Sequence, residues 1–247
     1  MLQDAHIHIQ DIKPADEREA IAQGRVGRLF CNAGSPDDWE AVARLASGHA
    51  NVVPFFGIHP WYVNEAIDGW EERLRALVVK YRGGVGEIGL DKLKSCFLDQ
   101  ERIFNAQVGI AVSLGRPFVV HCVRAWEPLL ESLRNGNLSG QRFMVHAYSG
   151  SADTLKDLLA LGAYVSFSAR ALLVPSDKTL ANIRLVPKER LLLETDFPYL
   201  MSQDTPPTAA VYGERIAAVY DAAARALGVD ATELERTLWE NGTVFTD

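Results

Sequence analysis

The chain has 247 residues, 48% hydrophobic and 23% charged, the balance of a globular protein with enough apolar material for one large core. A formal net charge of −7 excludes a broad, sequence-blind grip on nucleic acid, which needs a basic face to displace counterions from phosphates. The three cysteines, Cys31, Cys96 and Cys122, are too few and too scattered for a disulfide framework or a Cys-rich zinc cluster, and they fit a reducing cytoplasm.

The opening MLQDAHIHIQ has no basic stretch followed by an apolar run. No segment reaches the roughly 18 uninterrupted apolar residues of a membrane span. A cytoplasmic protein with no membrane partner and no obligatory protein partner is expected. The first strand is predicted over 2–9, followed by strands over 26–32 and 52–59. Between the last two, a helix over 37–46 follows Ser35 and Pro36, read as N-cap and first-turn residues. A helix over 70–81 puts Trp70, Leu74, Leu77, Val78 and Tyr81 on one face. Strands over 85–90, 118–123, 143–148, 164–168 and 191–196 then alternate with helices over 97–114, 126–133, 152–161, 178–183 and 212–227. A last helix covers 232–239.

Short strands punctuated by Gly, Pro or Asp, each followed by a helical segment, imply parallel pairing with right-handed crossovers. Eight such units in this length predict an α/β fold, a TIM-type (β/α)₈ barrel spanning 1–247 as one domain. An open doubly wound sheet is the competing architecture.

Five of the six histidines, His6, His8, His59, His121 and His146, fall at or near the C-terminal end of a predicted strand. In a parallel barrel those ends open on one face, where active sites lie. Only His49 sits elsewhere, near a helix end, in a surface or capping position. By strict alternation Asp4, His6 and His8 share one strand face, Val85, Glu87 and Gly89 another, and Glu194 and Asp196 a third. His121 aligns with Val119, and His146 with Met144. Four imidazoles (His6, His8, His121, His146) and two carboxylates (Glu87, Asp196) then converge above the core. Burying that set without a cation would carry a large desolvation and repulsion cost.

Mixed imidazole and carboxylate ligation suits Zn²⁺, Mn²⁺, Ni²⁺ or Fe²⁺, with Mg²⁺ at an oxygen-rich subsite. Six ligands exceed one open tetrahedral site, so two divalent ions are expected, with Glu87 between them. Asp196 is the candidate general base for a metal-activated water. Asp4 and Glu194 are read as inward-facing, one layer deeper, where they orient ligating histidines. Cys122 falls on the face opposite His121, as a buried core thiol. Trp61 either stacks on a base or covers the barrel mouth. Gly84–Gly89 satisfies G-x-G-x-x-G but forms a strand rather than opening a helix, so it is no dinucleotide fingerprint. The chain has no P-loop and no G-x-S-x-G elbow.

Asp4-Ala5-His6-Ile7-His8, Gly57-Ile58-His59-Pro60, Gly86-Glu87-Ile88-Gly89-Leu90-Asp91, His121-Cys122, His146-Ala147-Tyr148-Ser149-Gly150 and Glu194-Thr195-Asp196-Phe197-Pro198-Tyr199-Leu200 occur in that order. The set resembles the TatD-type deoxyribonucleases of the amidohydrolase superfamily. The resemblance implies a TIM barrel and a metal-dependent hydrolase, a phosphodiesterase acting on DNA ends or short oligonucleotides. It places metal ligands at His6, His8, Glu87, His121, His146 and Asp196, and a substrate contact at His59. His59 with a cation (Lys92, Arg124 or Arg170) would hold the non-bridging phosphate oxygens.

Three positions depart from the family pattern. Val123 stands where an arginine is usual, with Arg124 one step later and turned to the other strand face by alternation. Lys92 replaces a tyrosine. The Arg-Gly and Asn-Glu-Pro stretch after the last strand is absent, replaced by Met201-Ser202-Gln203-Asp204-Thr205-Pro206-Pro207. Hydrolysis of a lactone, another ester or an amide on the same metals is the enzymatic alternative. A scaffold that keeps metal for stability alone is the non-enzymatic one.

Overall fold

The protein is described by a computed structural model that covers residues 1–199 and 205–247. Leu200 of the last motif and Met201 to Asp204 of the departing segment lie outside the described residues. Eight parallel strands follow one another in chain order around one sheet: β1 Gln3–Ile7, β2 Arg28–Asn32, β3 Val52–Phe56, β4 Gly84–Asp91, β5 Phe118–Val123, β6 Phe143–Val145, β7 Tyr164–Ser168 and β8 Leu191–Glu194. The ring closes just beyond β8. Ile7 and Phe197 form a parallel bridge, Asp196 N–H donates to the His6 carbonyl at 3.0 Å, and His8 N–H donates to the Phe197 carbonyl at 2.8 Å. The expected (β/α)₈ barrel is the observed fold.

The helices are α1 Ala15–Ala22, α2 Trp39–Gly48, α3 Trp70–Tyr81, α4 Phe97–Leu114, α5 Trp126–Asn135, α6 Ala152–Ala160, α7 Ala169–Leu173, α8 Asp177–Leu185, α9 Ala209–Leu227 and α10 Ala231–Thr246. Two of them, α1 and α7, were not expected. Only Ile21 and Ala22 of α1 are buried, so the segment has no apolar stripe to betray it, and α7 is too short to show a period. The start of α2 also differs. Asp38, rather than Ser35, is the N-cap, and its Oδ2 accepts from the backbone N–H of Gly34 and Ser35 in a turn that precedes the helix.

Apolar side chains form two layers. The larger lies between sheet and helices and takes in Ile7, Leu29, Cys31, Val85, Ile88 and Cys122. The smaller fills the barrel and comprises Ala5, Phe30, Phe55, Val119, Met144, Tyr164, Leu192 and Phe245. Phe245 comes from α10 and plugs the barrel against Phe30, Phe55 and Tyr164, with ring centroids 5.8, 6.1 and 5.2 Å away. A fully buried aromatic from outside the eight units thus completes the core. Phe245→Ala should cost about 3–5 kcal/mol. Urea denaturation checks this, and a loss under about 1 kcal/mol would show that the plug is dispensable.

Two register shifts shape the upper rim. In β1, Asp4 pairs with Leu29 and Ile7 with Cys31, so three steps on one strand match two on the other. In β4, Val85 pairs with Phe118 and Ile88 with Val120, the same excess of one residue. Each is a β-bulge, which turns an extra side chain to a face that alternation denies it. Leu29, Cys31 and Ile7 belong to the outer layer, so Asp4 is on the outer side and does not share a face with His6. Its carboxylate instead accepts from Thr195 N–H at 3.0 Å and the Thr195 hydroxyl at 2.6 Å, tying β1 to the end of β8. Val85 is likewise outward, and the bulge after it delivers Glu87 inward. Alternation therefore placed Asp4 and Val85 on the wrong face.

Candidate metal centre

The six expected ligands do meet. Glu87 is at the centre, buried, with its two oxygens turned to different partners. Oε2 lies 3.2 Å from His6 Nε2 and 3.3 Å from His8 Nε2. Oε1 lies 2.9 Å from His121 Nδ1 and 2.8 Å from His146 Nε2. Asp196 joins the first group, its Oδ1 standing 3.6 Å from His8 Nε2 and 3.8 Å from His6 Nε2. The groups touch through His6 and His146, whose rings stack with centroids 4.0 Å apart.

The backbone explains the convergence. β4 carries Glu87 on its bulge, and Gly57 lets the chain after β3 pass beside it, because a Cβ there would come within 2.8 Å of Gly86 C and 2.9 Å of the Glu87 carbonyl. Asp196 follows β8 with φ +56°, and Ala147, next to His146, has φ +45°. Such left-handed conformations are disfavoured for side chains with a Cβ, and they collect at functional rims.

The charges of the metal-free protein follow from this packing. Burial alone would raise the Glu87 pKa, but the facing charges of His146, His59 and His6 outweigh it and hold the carboxylate well below its ordinary range. Burial opposes charge on His8, yet the hydrogen bond and charge of Glu87 and the charge of Asp196 raise it to about 9. His146 is likewise driven well above its ordinary value, against burial, by Glu87 and Glu194. His6 is pushed down to about 4 by burial and by the charge of His146. Burial raises Asp196 to about 7 despite the pull of His146 and His8.

Residues around the ligands divide by the atom that they touch. Glu194 Oε1 faces His146 Nδ1 at 3.2 Å, and the Ser166 hydroxyl donates to Glu194 Oε2. This carboxylate addresses the nitrogen that points away from Glu87, so it orients the ring, as expected for Glu194. His59 behaves differently. Its Nδ1 accepts from the Trp61 backbone N–H at 3.2 Å, which leaves the proton of the neutral ring on Nε2. Nε2 lies 3.5 Å from Glu87 Oε1. A nitrogen carrying a proton donates rather than ligates, in keeping with a substrate contact.

The donor set fits divalent ions. Imidazole nitrogens and carboxylate oxygens, all from buried or nearly buried side chains, face one another across 2.8–3.8 Å, and His121 Nε2 is buried without a hydrogen-bond partner among the described residues. Among the described residues, three groups of such donors have their atoms within 4.8 Å of one another: His6, His8 and Glu87; His6, His146 and Glu194; His59, Glu87 and His121. The first matches the expected ligands. The second and third include Glu194 and His59, whose contacts above suit orientation and donation better.

The expected cations are less closely engaged. Lys92 and Arg124 are brought together on the rim, where Lys92 N–H donates to the Val123 carbonyl at 3.0 Å. Both side chains are exposed, and among the described residues neither is hydrogen-bonded or ion-paired to the ligand cluster. Arg124 has φ +51° just past β5, so strand alternation no longer dictates its direction. Arg170 is exposed in α7. Cys122 lies in the outer layer, and burial raises its thiol to about 12, the state of an inert core group. His49 caps the end of α2, 3.3 Å from Glu19.

Sequence reading missed Asp91, which is buried at the rim and accepts from Trp61 Nε1 at 2.7 Å. It also missed Tyr199, edge-on to His8 at 5.1 Å and hydrogen-bonded through its hydroxyl to Asp11 at 2.9 Å. Both stand inside the quoted motifs, but nothing in their spacing reveals these long-range partners.

Comparison with known proteins gives the chain a family. The family described as TatD related DNase matches residues 3–245. The human 3′-5′ RNA nuclease TATDN2 is 31% identical over 163 residues, covering 64% of this chain, and the match spans about a fifth (21%) of that protein. The 3′-5′ ssDNA/RNA exonuclease TatD of Enterobacter lignolyticus (strain SCF1) is 30% identical over 192 residues, which cover 76% of this chain and 74% of that one. The crystal structure of the TatD homolog YJJV from Escherichia coli K12 superposes with a TM-score of 0.88 at 25% identity, covering 100% of this chain and 98% of that one.

Proposed function

The chain belongs to the TatD related DNase family, and from that premise we propose that it is a metal-dependent exonuclease that removes nucleotides from the 3′ ends of single-stranded nucleic acid. The observation that carries this reading is the division of Glu87, one oxygen toward His6 and His8, the other toward His121 and His146. We assign one divalent ion to His6, His8, Glu87 and Asp196, and a second to Glu87, His121 and His146. Bound there, such ions lower the pKa of water and stabilise charge on a phosphoryl oxygen.

The residues supply the rest. Asp196, which burial already inclines toward holding a proton, accepts one from the attacking water. Glu87 fixes the spacing of the two halves. His59 donates from Nε2 to a non-bridging oxygen, with Lys92 or Arg124 on the rim as the nearby cation. Glu194 holds His146 in register. With a net charge of −7 the chain has little to offer a long duplex beyond the site itself, which favours ends and short strands.

Two expected results follow for the metal-binding residues. Glu194→Gln should weaken metal affinity by about 10- to 100-fold, the usual effect of losing a carboxylate behind a ligating histidine. Equilibrium titration against a chelating dye measures it, and unchanged affinity would leave Glu194 a purely structural role. Metal affinity should also rise with pH. His8 and His146 have raised pKa values in the metal-free protein, so their protons must leave before an ion enters. Calorimetry in buffers of different ionisation enthalpy reports that release; its absence would contradict the assignment of both histidines.

The function itself is tested by a substrate panel. Oligonucleotides labelled at the 3′ or the 5′ end, duplexes, phosphomonoesters and carboxyl esters are incubated with the Mn²⁺-loaded protein. Stepwise loss of the 3′ label from single strands is expected. Turnover of esters without any attack on oligonucleotides would replace this reading.

A further inference from the structure

Trp61 is an exposed tryptophan held by a buried carboxylate. It lies in the 3-10 helix Pro60–Glu65 that leaves β3, and 49% of the residue is open to solvent. Its indole Nε1–H donates to Asp91 Oδ2 at 2.7 Å. Asp91 is itself 2% exposed and fixed from behind by Gln100, whose Oε1 accepts from Asp91 N–H at 2.8 Å and whose Nε2 donates to the Asp91 carbonyl at 3.1 Å. The indole is therefore a rigid surface, not a floating side chain.

Its position relative to the metal centre is equally defined. The His59 ring meets the indole edge to face, with centroids 5.0 Å apart, and His59 Nε2 lies 3.5 Å from Glu87 Oε1. One imidazole thus separates the indole from the carboxylate that joins the two ligand groups. The Lys94 ammonium stands over one face of the indole, 4.2 Å from its centroid. A flat aromatic with a mobile-chain cation over one face, one imidazole from the ligand cluster, has the chemistry of a nucleotide subsite: an indole face for the base, from which the ammonium can swing to the phosphate.

Resting on the exonuclease reading, we infer that Trp61 is the stacking platform for a nucleobase next to the scissile phosphate, with Asp91 as the positioning residue that holds the indole. Tethering keeps the ordering cost of the platform low, so stacking energy goes into holding the strand end. Duplex ends hide their bases in the helix, and the same subsite therefore favours single strands.

The test compares two single-stranded oligonucleotides of one sequence, one with a normal 3′-terminal nucleotide and one with that base replaced by hydrogen. The Mn²⁺-loaded wild type should show a KM at least about tenfold lower for the base-bearing strand. Trp61→Ala should raise KM for that strand to the abasic value while changing kcat little, and Trp61→Phe should recover much of the difference. Metal content and circular dichroism confirm that the variants are folded and loaded. No base preference in the wild type overturns the inference without any variant. So does a Trp61→Ala enzyme that retains the preference, or one that loses kcat alone. Hydrolysis of neither oligonucleotide by the wild type overturns the exonuclease reading, and this inference falls with it.

Discussion

Asp196→Asn should leave the protein folded and most of its metal in place while lowering turnover by about 10²- to 10⁴-fold, the range for a lost acid–base group. Asparagine keeps the shape and one oxygen near His6 and His8, so coordination suffers less than proton transfer. The backbone at 196 tolerates the change, because asparagine, like aspartate, adopts the left-handed conformation with φ near +56°. The Asp196 carboxylate stands 3.6 Å from His8 Nε2, within the ligand cluster. Steady-state kcat on a labelled oligonucleotide, with metal content measured in parallel, reads both halves of the expectation. A near-normal rate would transfer the proton-accepting role to another group.

Glu87→Ala should have the larger effect on metal. Glu87 is the one assigned ligand whose own oxygens divide between the halves, Oε2 toward His6 and His8 and Oε1 toward His121 and His146. On the proposed assignment its loss would remove an anionic donor from both ions at once, and it leaves buried imidazoles with less negative charge to face. Metal content should fall from between one and two equivalents to well below one, and activity should fall with it. His6→Ala combined with His8→Ala should remove at least one ion and spare the His121 and His146 half. Elemental analysis of protein purified without chelator makes both comparisons. Wild-type metal content in Glu87→Ala would rule out a bridging role.

Much of this site was legible because its chemistry is concentrated in rare residues. Five strand-end histidines, with Glu87 and Asp196, identify the rim before any coordinates are known. The strands were legible because each is short, buried and followed by an amphipathic helix, as in Trp70–Tyr81 and Phe97–Leu114, where expected and observed bounds coincide. What alternation could not show were the bulges at Ala5–His6 and Gly86–Glu87. A period of two counts residues, whereas a bulge adds one without a signal in side-chain type. Hence alternation puts Asp4 and Val85 on the inner face with His6 and Glu87, whereas only His6 and Glu87 turn toward the cluster. The Trp61–Asp91 tether joins positions 30 residues apart through a side chain, which no local pattern encodes. Helix α1 has no apolar stripe that a pattern could detect, since only Ile21 and Ala22 of it are buried.

We propose that four histidines and two carboxylates hold a pair of ions on which phosphodiester cleavage depends. This dependence is tested most directly by stripping the protein with chelator and titrating Mn²⁺ back while following release of the 3′-terminal nucleotide from a single-stranded oligonucleotide. The stripped protein should be inactive, and activity should climb to a plateau as the second equivalent is bound. Full cleavage by the stripped protein, or a metal-saturated protein that releases nothing, would show that cleavage does not depend on ions held there.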